Sequence, residues 1–290
     1  MAHLRKPDWL KIEKGRAQGG KVSRTLESFQ LNTVCEAAGC PNQGECYKGG
    51  TATFMLLGVN CTRNCRFCKV TTARPEDVDE REPEHVAEAV ASMNLKHVVI
   101  TSVTRDDLPD GGAEHFAKTI EAVRRKTPQV TIEVLIPDFK GDCKALETVL
   151  EASPDILNHN VETVPVLYNE VRPQAIFERS LELLKRVKAR RPDIYTKSGF
   201  MVGLGETKEQ VMELLQELHD AECDIVTIGQ YLQPSLKHYT VKEYVHPDRF
   251  AEYKEKALQM GITCVASGPL VRSSYHAEED LKRLKEIAVS

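Results

Sequence analysis

Two groups of three cysteines are the residues in this sequence whose type and spacing most plainly suggest chemistry. Cys61, Cys65 and Cys68 stand in the run GVNCTRNCRFCKV, and Cys35, Cys40 and Cys46 in VCEAAGCPNQGECYKGG. Thiolate is the usual ligand of iron–sulfur clusters, and three thiolates this close can each take one iron of a 4Fe–4S cluster. The fourth iron is then left open to a chelating ligand. A zinc site would favour paired Cys-x2–4-Cys knuckles totalling four ligands, and here the third cysteine has no partner pair. Cys65-x2-Cys68 alone would suit a redox dithiol, but Cys61 would then be idle. In the earlier trio, Gly39, Pro41 and Gly44 make a turning loop on which three sulfurs can converge. Zinc with a histidine, or plain buried thiols, would also fit that spacing. Next to the first trio, a second cluster is the better reading.

Loops of this kind need a scaffold, and from about residue 52 the chain repeats one unit: an apolar, β-branched run, a polar or Gly-containing loop, then an amphipathic stretch. The expected strands are Ala52–Gly58, His97–Val103, Val130–Ile136, Ile156–Asn160, Ile194–Val202 and Asp224–Gly229. The expected helices are Glu84–Met93, Gly112–Lys126, Lys144–Ala152, Ile176–Arg190 and Lys208–Ala221. Such alternation predicts an α/β fold around a parallel sheet. Six βα units fall short of a closed barrel, so a partial (β/α)6 barrel and a doubly wound sheet both fit the count. In either, loops at the C-terminal strand ends form the active face, and Cys61 follows the first strand directly. Residues 1–50 read as irregular and Gly-rich. Residues 236–290 read as a helix near 248–260, a short strand Ile262–Ala266, a turn and a charged tail.

Composition narrows the function further. The chain has 290 residues and a net charge of -4, against the strong basic excess usual in nucleic-acid binders. Residues 1–24 carry Arg5, Lys6, Lys11, Lys14, Arg16, Lys21 and Arg24 against Asp8 and Glu13, an arm for an acidic partner or a solvated terminus. No apolar run approaches the roughly 18 residues of a membrane helix. The N-terminus lacks a secretory apolar region and fits a transit peptide poorly, so a cytoplasmic location and no membrane partner are expected. Nine cysteines, an odd number, fit a disulfide framework badly in a reducing compartment.

The Cys-x3-Cys-x2-Cys spacing on the first βα loop resembles the signature of the radical S-adenosylmethionine (SAM) superfamily. There the open iron is chelated by the SAM amino and carboxylate groups, and an electron from the cluster cleaves the sulfonium to give a 5′-deoxyadenosyl radical. Phe67 matches the superfamily aromatic expected near adenine. Within that superfamily the chain is similar to the lipoyl synthases. The resemblance rests on the order of the two cysteine trios and on KPDWL at 6–10, TSVTRDDLPDGGA at 101–113, NHNVET at 158–163, VRP at 171–173, KSGFMVGLGE at 197–206 and GPLVRSSYHA at 268–277. It implies insertion of two sulfur atoms into an octanoyl chain amide-linked to a lysine of a lipoyl carrier domain. It further implies that Cys61, Cys65 and Cys68 bind the radical-generating 4Fe–4S cluster. Cys35, Cys40 and Cys46 would bind an auxiliary 4Fe–4S cluster that donates sulfur, with Ser274 of the RSSY motif as its fourth ligand. By themselves Ser273 and Ser274 read as a turn or cap pair. The expected division is an N-terminal extension 1–50 bearing the auxiliary cysteines, a partial barrel 51–235, and a C-terminal extension 236–290 bearing RSSY. Expected partners are octanoylated carrier domains (2-oxoacid dehydrogenase E2 or glycine cleavage H protein) and an electron donor.

Further residues are candidates for SAM. The glycine stretch from Gly199 to Gly205, including Gly203, approaches adenine in the superfamily. Asn158, Asn160 and Glu162 alternate at the end of the fourth strand, and suit either ribose hydroxyls or a capping network. Arg172 and Lys197 are candidates for the methionyl carboxylate, and Asp106 and Asp107 for its amino group or for capping the next helix. Cys143, Cys223 and Cys264 read as core thiols. The basic run Lys185–Arg191 lies at a helix C-terminus, which favours cations, and reads as a solvated helix end or a docking aid for acidic carriers.

Overall fold

The computed structural model describes residues 4–11, 20–48, 51–275, 277 and 284. Lys14, Arg16 and nearly all of the expected charged tail lie outside them. The described residues gather into two compact units, one drawn from 14–64 and 69–158, the other from 1–13, 65–68 and 159–290.

The first unit runs α1 (Lys21–Ser28), α2 (Val34–Ala37), α3 (Gln43–Lys48), β1 (Thr53–Leu56), β2 (Asn60–Cys61), β3 (Thr71–Thr72), α4 (Glu82–Met93), β4 (His97–Ser102), α5 (Ala113–Lys126), β5 (Thr131–Leu135), α6 (Cys143–Glu151) and β6 (Ile156–Asn158). Strands β1, β4, β5 and β6 pair in that order, all parallel, with Thr53 opposite Val99 and Val99 opposite Glu133. Parallel strands covered on both faces read as continuous apolar runs, and β1 is buried throughout. Helices cover them with residues at helical spacing: Val86 and Val90 from α4, and Phe116, Ile120 and Val123 from α5, are fully buried. Short β2 and β3 pair with each other, Asn60 opposite Thr71 and Cys61 opposite Thr72.

The second unit runs α7 (Tyr168–Val171), α8 (Phe177–Arg190), β7 (Tyr195–Val202), α9 (Lys208–Asp220), β8 (Ile225–Gln230), α10 (Pro247–Met260) and β9 (Cys264–Gly268). Strands β7, β8 and β9 are parallel neighbours in that order. Its core joins Phe200, Leu214, Leu218, Ile228, Phe250 and Val265. Thr207 and Gln210 close a capping box at the start of α9, which fixes that boundary.

The α/β alternation and the parallel pairing agree with the sequence reading, and element ends move by only a few residues. Three expectations change. Residues 20–48 are not irregular but form three short helices, the second capped by Thr33 Oγ1, which accepts from Glu36 N. The fourth long strand stops at Asn158, not Asn160. Beyond it His159 N and Glu162 N donate to the carbonyls of Lys197 and Gly199, and Glu162 adopts φ +67°. Asn160 and Glu162 therefore do not continue the strand alternation that Asn158 ends. Cys143 is not a core thiol but an exposed residue at the start of α6, whereas Cys223 and Cys264 are buried as expected. No described helix is long and apolar enough to cross a membrane.

Candidate functional site

The first unit holds Cys35, Cys40 and Cys46 together with Cys61. Cys35 is buried in α2, Cys46 is half-buried in α3, and Cys40 lies in the turn between them. Cys40 N donates to Cys35 O at 2.9 Å, closing that turn. The three thiols are within electrostatic reach. Burial, then the neighbouring Cys35 and Cys40, push the Cys46 thiol up to about 11. Among the described residues no three His, Cys, Asp or Glu side chains converge on a single metal ion. A cluster asks for less convergence, because each thiolate binds a different iron.

Cys61 Sγ accepts hydrogen bonds from the backbone N–H groups of Arg63 and Thr104, each at 3.4 Å. Two such donors fix where the sulfur points. The loop that carries it is pinned from beneath by Arg63, buried and gripping Asp106 through two bonds of 2.7 and 2.9 Å. Asp106 is thus held by Arg63 and Asp107 by Arg105, and neither caps α5. Asp110 does so, accepting from Gly112 N at 2.9 Å and Glu114 N at 2.7 Å. Asn158, fully buried at the end of β6, donates through Nδ2 to Glu133 at 3.3 Å, while its Oδ1 has no partner.

The second unit holds the remainder of the cysteine loop. Arg66, between Cys65 and Cys68, is bound on both sides of its backbone: its N–H donates to Val171 O at 2.9 Å, and its carbonyl accepts from Tyr239 N at 2.7 Å. Its guanidinium lies over the Tyr239 ring, 5.5 Å from the centroid. Phe67 packs against the cluster of Val171, Leu204, Tyr231, Tyr239 and Val241. Nearby, Arg172 Nη1 donates to the carbonyls of Asn160 at 3.1 Å and Val161 at 3.3 Å, and its Nε is buried without a partner. Burial raises the Glu162 carboxyl above its ordinary range, although the Arg172 charge and a hydrogen bond from Asn160 pull the other way. Lys197 is fully buried on β7.

The glycine stretch makes a tight turn after β7. Glu206 receives the N–H groups of Gly203 at 2.5 Å and Leu204 at 2.9 Å. Gly203 has φ +95°, and a Cβ there would lie 2.2 Å from Gln230 Nε2 and 2.4 Å from Glu243 O. Only glycine fits such a site without strain. Ser273 and Ser274 occupy the turn that follows β9.

The basic run at the end of α8 is largely spent on ion pairs, Arg186 with Glu182, Arg191 with Asp193 and, before β8, Lys188 with Asp224. Arg63, Thr104 and Tyr239 went unnoticed in the sequence. Their partners lie tens of residues away, and no local spacing signals them.

The Radical SAM superfamily profile matches residues 55–218, which defines the class of protein. The fold agrees: Streptococcus suis SuiB bound to S-adenosylmethionine superposes with TM-score 0.60 at 13% identity, covering 78% of this chain and 53% of that one. Methylornithine synthase (PylB) superposes with TM-score 0.53 at 13% identity, covering 92% and 93%. Lipoyl synthase of Caldanaerobacter subterraneus subsp. tengcongensis is 57% identical over 278 residues, 96% of this chain and 98% of the relative. That of Caldicellulosiruptor saccharolyticus is 56% identical over 283 residues, 97% and 99%. At these identities over nearly the full length of both chains, the chain belongs to the lipoyl synthase family.

Membership of the radical SAM superfamily implies a 4Fe–4S cluster and SAM. The residues present fit both. In the first unit Cys61 Sγ accepts from two backbone N–H groups and Asn158 Oδ1 is buried without a partner; in the second, Asn160 Oδ1 and Arg172 Nε are buried without one. Buried polar groups are almost always satisfied, so such orphans are open to a polar ligand; His97 Nδ1, Ser102 Oγ and Thr163 Oγ1 are unpartnered in the same way.

Proposed function

We propose that the chain inserts two sulfur atoms, at C6 and C8, into an octanoyl group held on a carrier lysine, giving lipoyl-lysine. The observation that carries this reading is a second set of thiols gathered on one helix–turn–helix: Cys35 in α2, Cys40 in the turn that its N–H closes on Cys35 O, and Cys46 in α3. Cys61, Cys65 and Cys68 would hold the first cluster. The second would be held by that further trio and Ser274, with residues 1–50 serving as its carrier extension, 51–235 as the partial barrel and 236–290 as the extension bearing RSSY. Phe67, Asn158, Asn160, Glu162, Arg172, Lys197 and Gly203 would line SAM.

Octanoyl C6 and C8 are unactivated, so no side chain here could remove their protons as a base. When bound, the first cluster with SAM supplies a carbon-centred radical able to take hydrogen atoms from such carbons, and the second cluster supplies sulfur. The chain's own part is to bind, orient and shield. Asn158 and Asn160 offer carbonyl oxygens to ribose hydroxyls. Arg172 offers an N–H and a fixed positive charge to a carboxylate. Glu206 holds the Gly203 turn open for adenine by receiving its N–H groups. Ser274 gives a harder oxygen donor than thiolate, and a soft cluster releases such a ligand more readily. The carrier substrate would be an octanoylated E2 or H-protein domain, with a separate electron donor.

The deciding experiment is anaerobic reconstitution with iron and sulfide, then addition of SAM, dithionite and an octanoyl-lysyl peptide, with products followed by mass spectrometry. Gain of two sulfurs with formation of 5′-deoxyadenosine is expected. Deoxyadenosine without peptide sulfur would keep the radical chemistry and overturn the substrate. Neither product, from protein with intact clusters, would overturn both.

A further inference from the structure

The turn carrying Ser273 and Ser274 is seated by two contacts that the reading above does not use. At the end of β8, a Cβ on Gly229 would stand 2.3 Å from Val271 O and 3.1 Å from Arg272 Nη1, so the turn's backbone lies directly on that strand. Gln230 N donates to Pro269 O at 3.3 Å beside it. The second contact comes from a residue 113 positions away: Asn160 Nδ2 donates to Ser273 Oγ in a long hydrogen bond of 3.4 Å.

Asn160 is itself tightly placed. Its backbone carbonyl accepts from Arg172 Nη1, and a Cβ on Gly199 would come within 2.9 Å of its Oδ1, so no bulkier residue fits beneath it. A primary amide donates only through nitrogen and accepts only through oxygen. With Ser273 and the Glu162 carboxyl both on the nitrogen side, the amide is oriented and Oδ1 is left buried and unpartnered.

We infer that Asn160 couples the nucleoside site to the RSSY turn. One end of its amide receives a hydroxyl of the bound cofactor, and the other holds Ser273 and so sets where Ser274 is presented. Ser273 is then a positioning residue and not a cluster ligand. The inference rests on the proposed role of Asn160 toward SAM. Coupling of this kind is reciprocal: as much as the ligand steadies the turn, the turn tightens the ligand.

The test uses the cluster-loaded enzyme with S-adenosylhomocysteine as probe, measuring affinity by equilibrium dialysis and amide exchange across 269–275. In the wild-type protein the probe should slow exchange in that turn. Ser273→Ala should weaken probe binding about five-fold and abolish the slowing, and Ser273→Thr, which keeps a hydroxyl, should restore both. If Asn160→Ala weakens the probe while Ser273→Ala binds it and slows exchange as the wild type does, the coupling is wrong and the nucleoside role stands. If Asn160→Ala leaves affinity unchanged, the nucleoside role fails and the coupling fails with it.

Discussion

Arg63 Nη2 stands 2.6 Å from Asp138 Oδ1, joining the loop between Cys61 and Cys65 to the segment that follows β5. The same guanidinium grips Asp106, so one buried cation ties the cysteine loop to two strand ends. Removing one partner of such a group strands the others in a medium that solvates charge poorly. Arg63→Met should therefore destabilise the metal-free protein by roughly 3–5 kcal/mol, and Arg63→Lys less, since it keeps the charge but loses the two-pronged geometry. Urea unfolding of the three proteins checks this. Equal midpoints would refute an anchoring role.

The two cysteine trios should separate cleanly by mutation. Cys68→Ala is expected to abolish 5′-deoxyadenosine formation. Cys40→Ala should leave SAM cleavage intact and stop sulfur transfer to the peptide. Chromatography of the nucleoside and mass spectrometry of the peptide read the two steps apart. Lipoyl product from Cys40→Ala would count against a sulfur-donating second cluster.

Ser274→Ala should alter the spectrum of the second cluster and stop sulfur transfer to the peptide, while SAM cleavage survives. The comparison is Mössbauer spectra of the variant and the wild type, each loaded with iron-57. Unchanged spectra with normal turnover would place the fourth ligand elsewhere.

Gly203→Ala places a methyl group against Glu243 O at a backbone angle that disfavours any Cβ. Strain of this kind costs about 1–3 kcal/mol. SAM affinity should fall as the turn shifts, with cluster content unaffected. A variant as stable and as tight-binding as the wild type would contradict the assignment.

Burial, then the charge of Asp224, raise the Cys223 thiol from 9.0 to about 12. The unfolded chain ionises this thiol from about pH 9, while the folded one keeps its proton until about pH 12. Stability should therefore fall as pH rises through that window, since the unfolded state gains a charge that the folded state refuses. Alkylation at pH 8 should label exposed Cys143 and spare Cys223 until the protein unfolds. Cys223→Ala should flatten the alkaline loss.

Much of this was legible in the sequence because it is local. Strand runs such as His97–Ser102 and helix patterns such as Ala113–Lys126 follow from residue spacing, and the cysteine loops follow from their own short intervals. What escaped was long-range or conformational. Arg63 meets Asp138 only after the intervening strands are laid side by side. The fourth long strand was overextended because Asn158, Asn160 and Glu162 alternate in type, whereas Glu162 turns to φ +67°. The helices around Cys35 and Cys46 were hidden by Gly39, Pro41 and Gly44, which suggest loop. In fact Gly39 and Pro41 sit in the turn between the helices and Gly44 lies inside α3.

The double pinning of Arg66 has a consequence for the life of the enzyme. Small zinc domains have no stable fold until metal arrives, and unravel when it leaves. Here the stretch from Cys65 to Cys68 is held by Val171 and Tyr239 through backbone hydrogen bonds that involve no metal. With the first cluster held by these thiols as proposed, oxygen that strips its iron would leave behind an empty but still shaped cradle, and a damaged molecule should take up iron again without first being refolded.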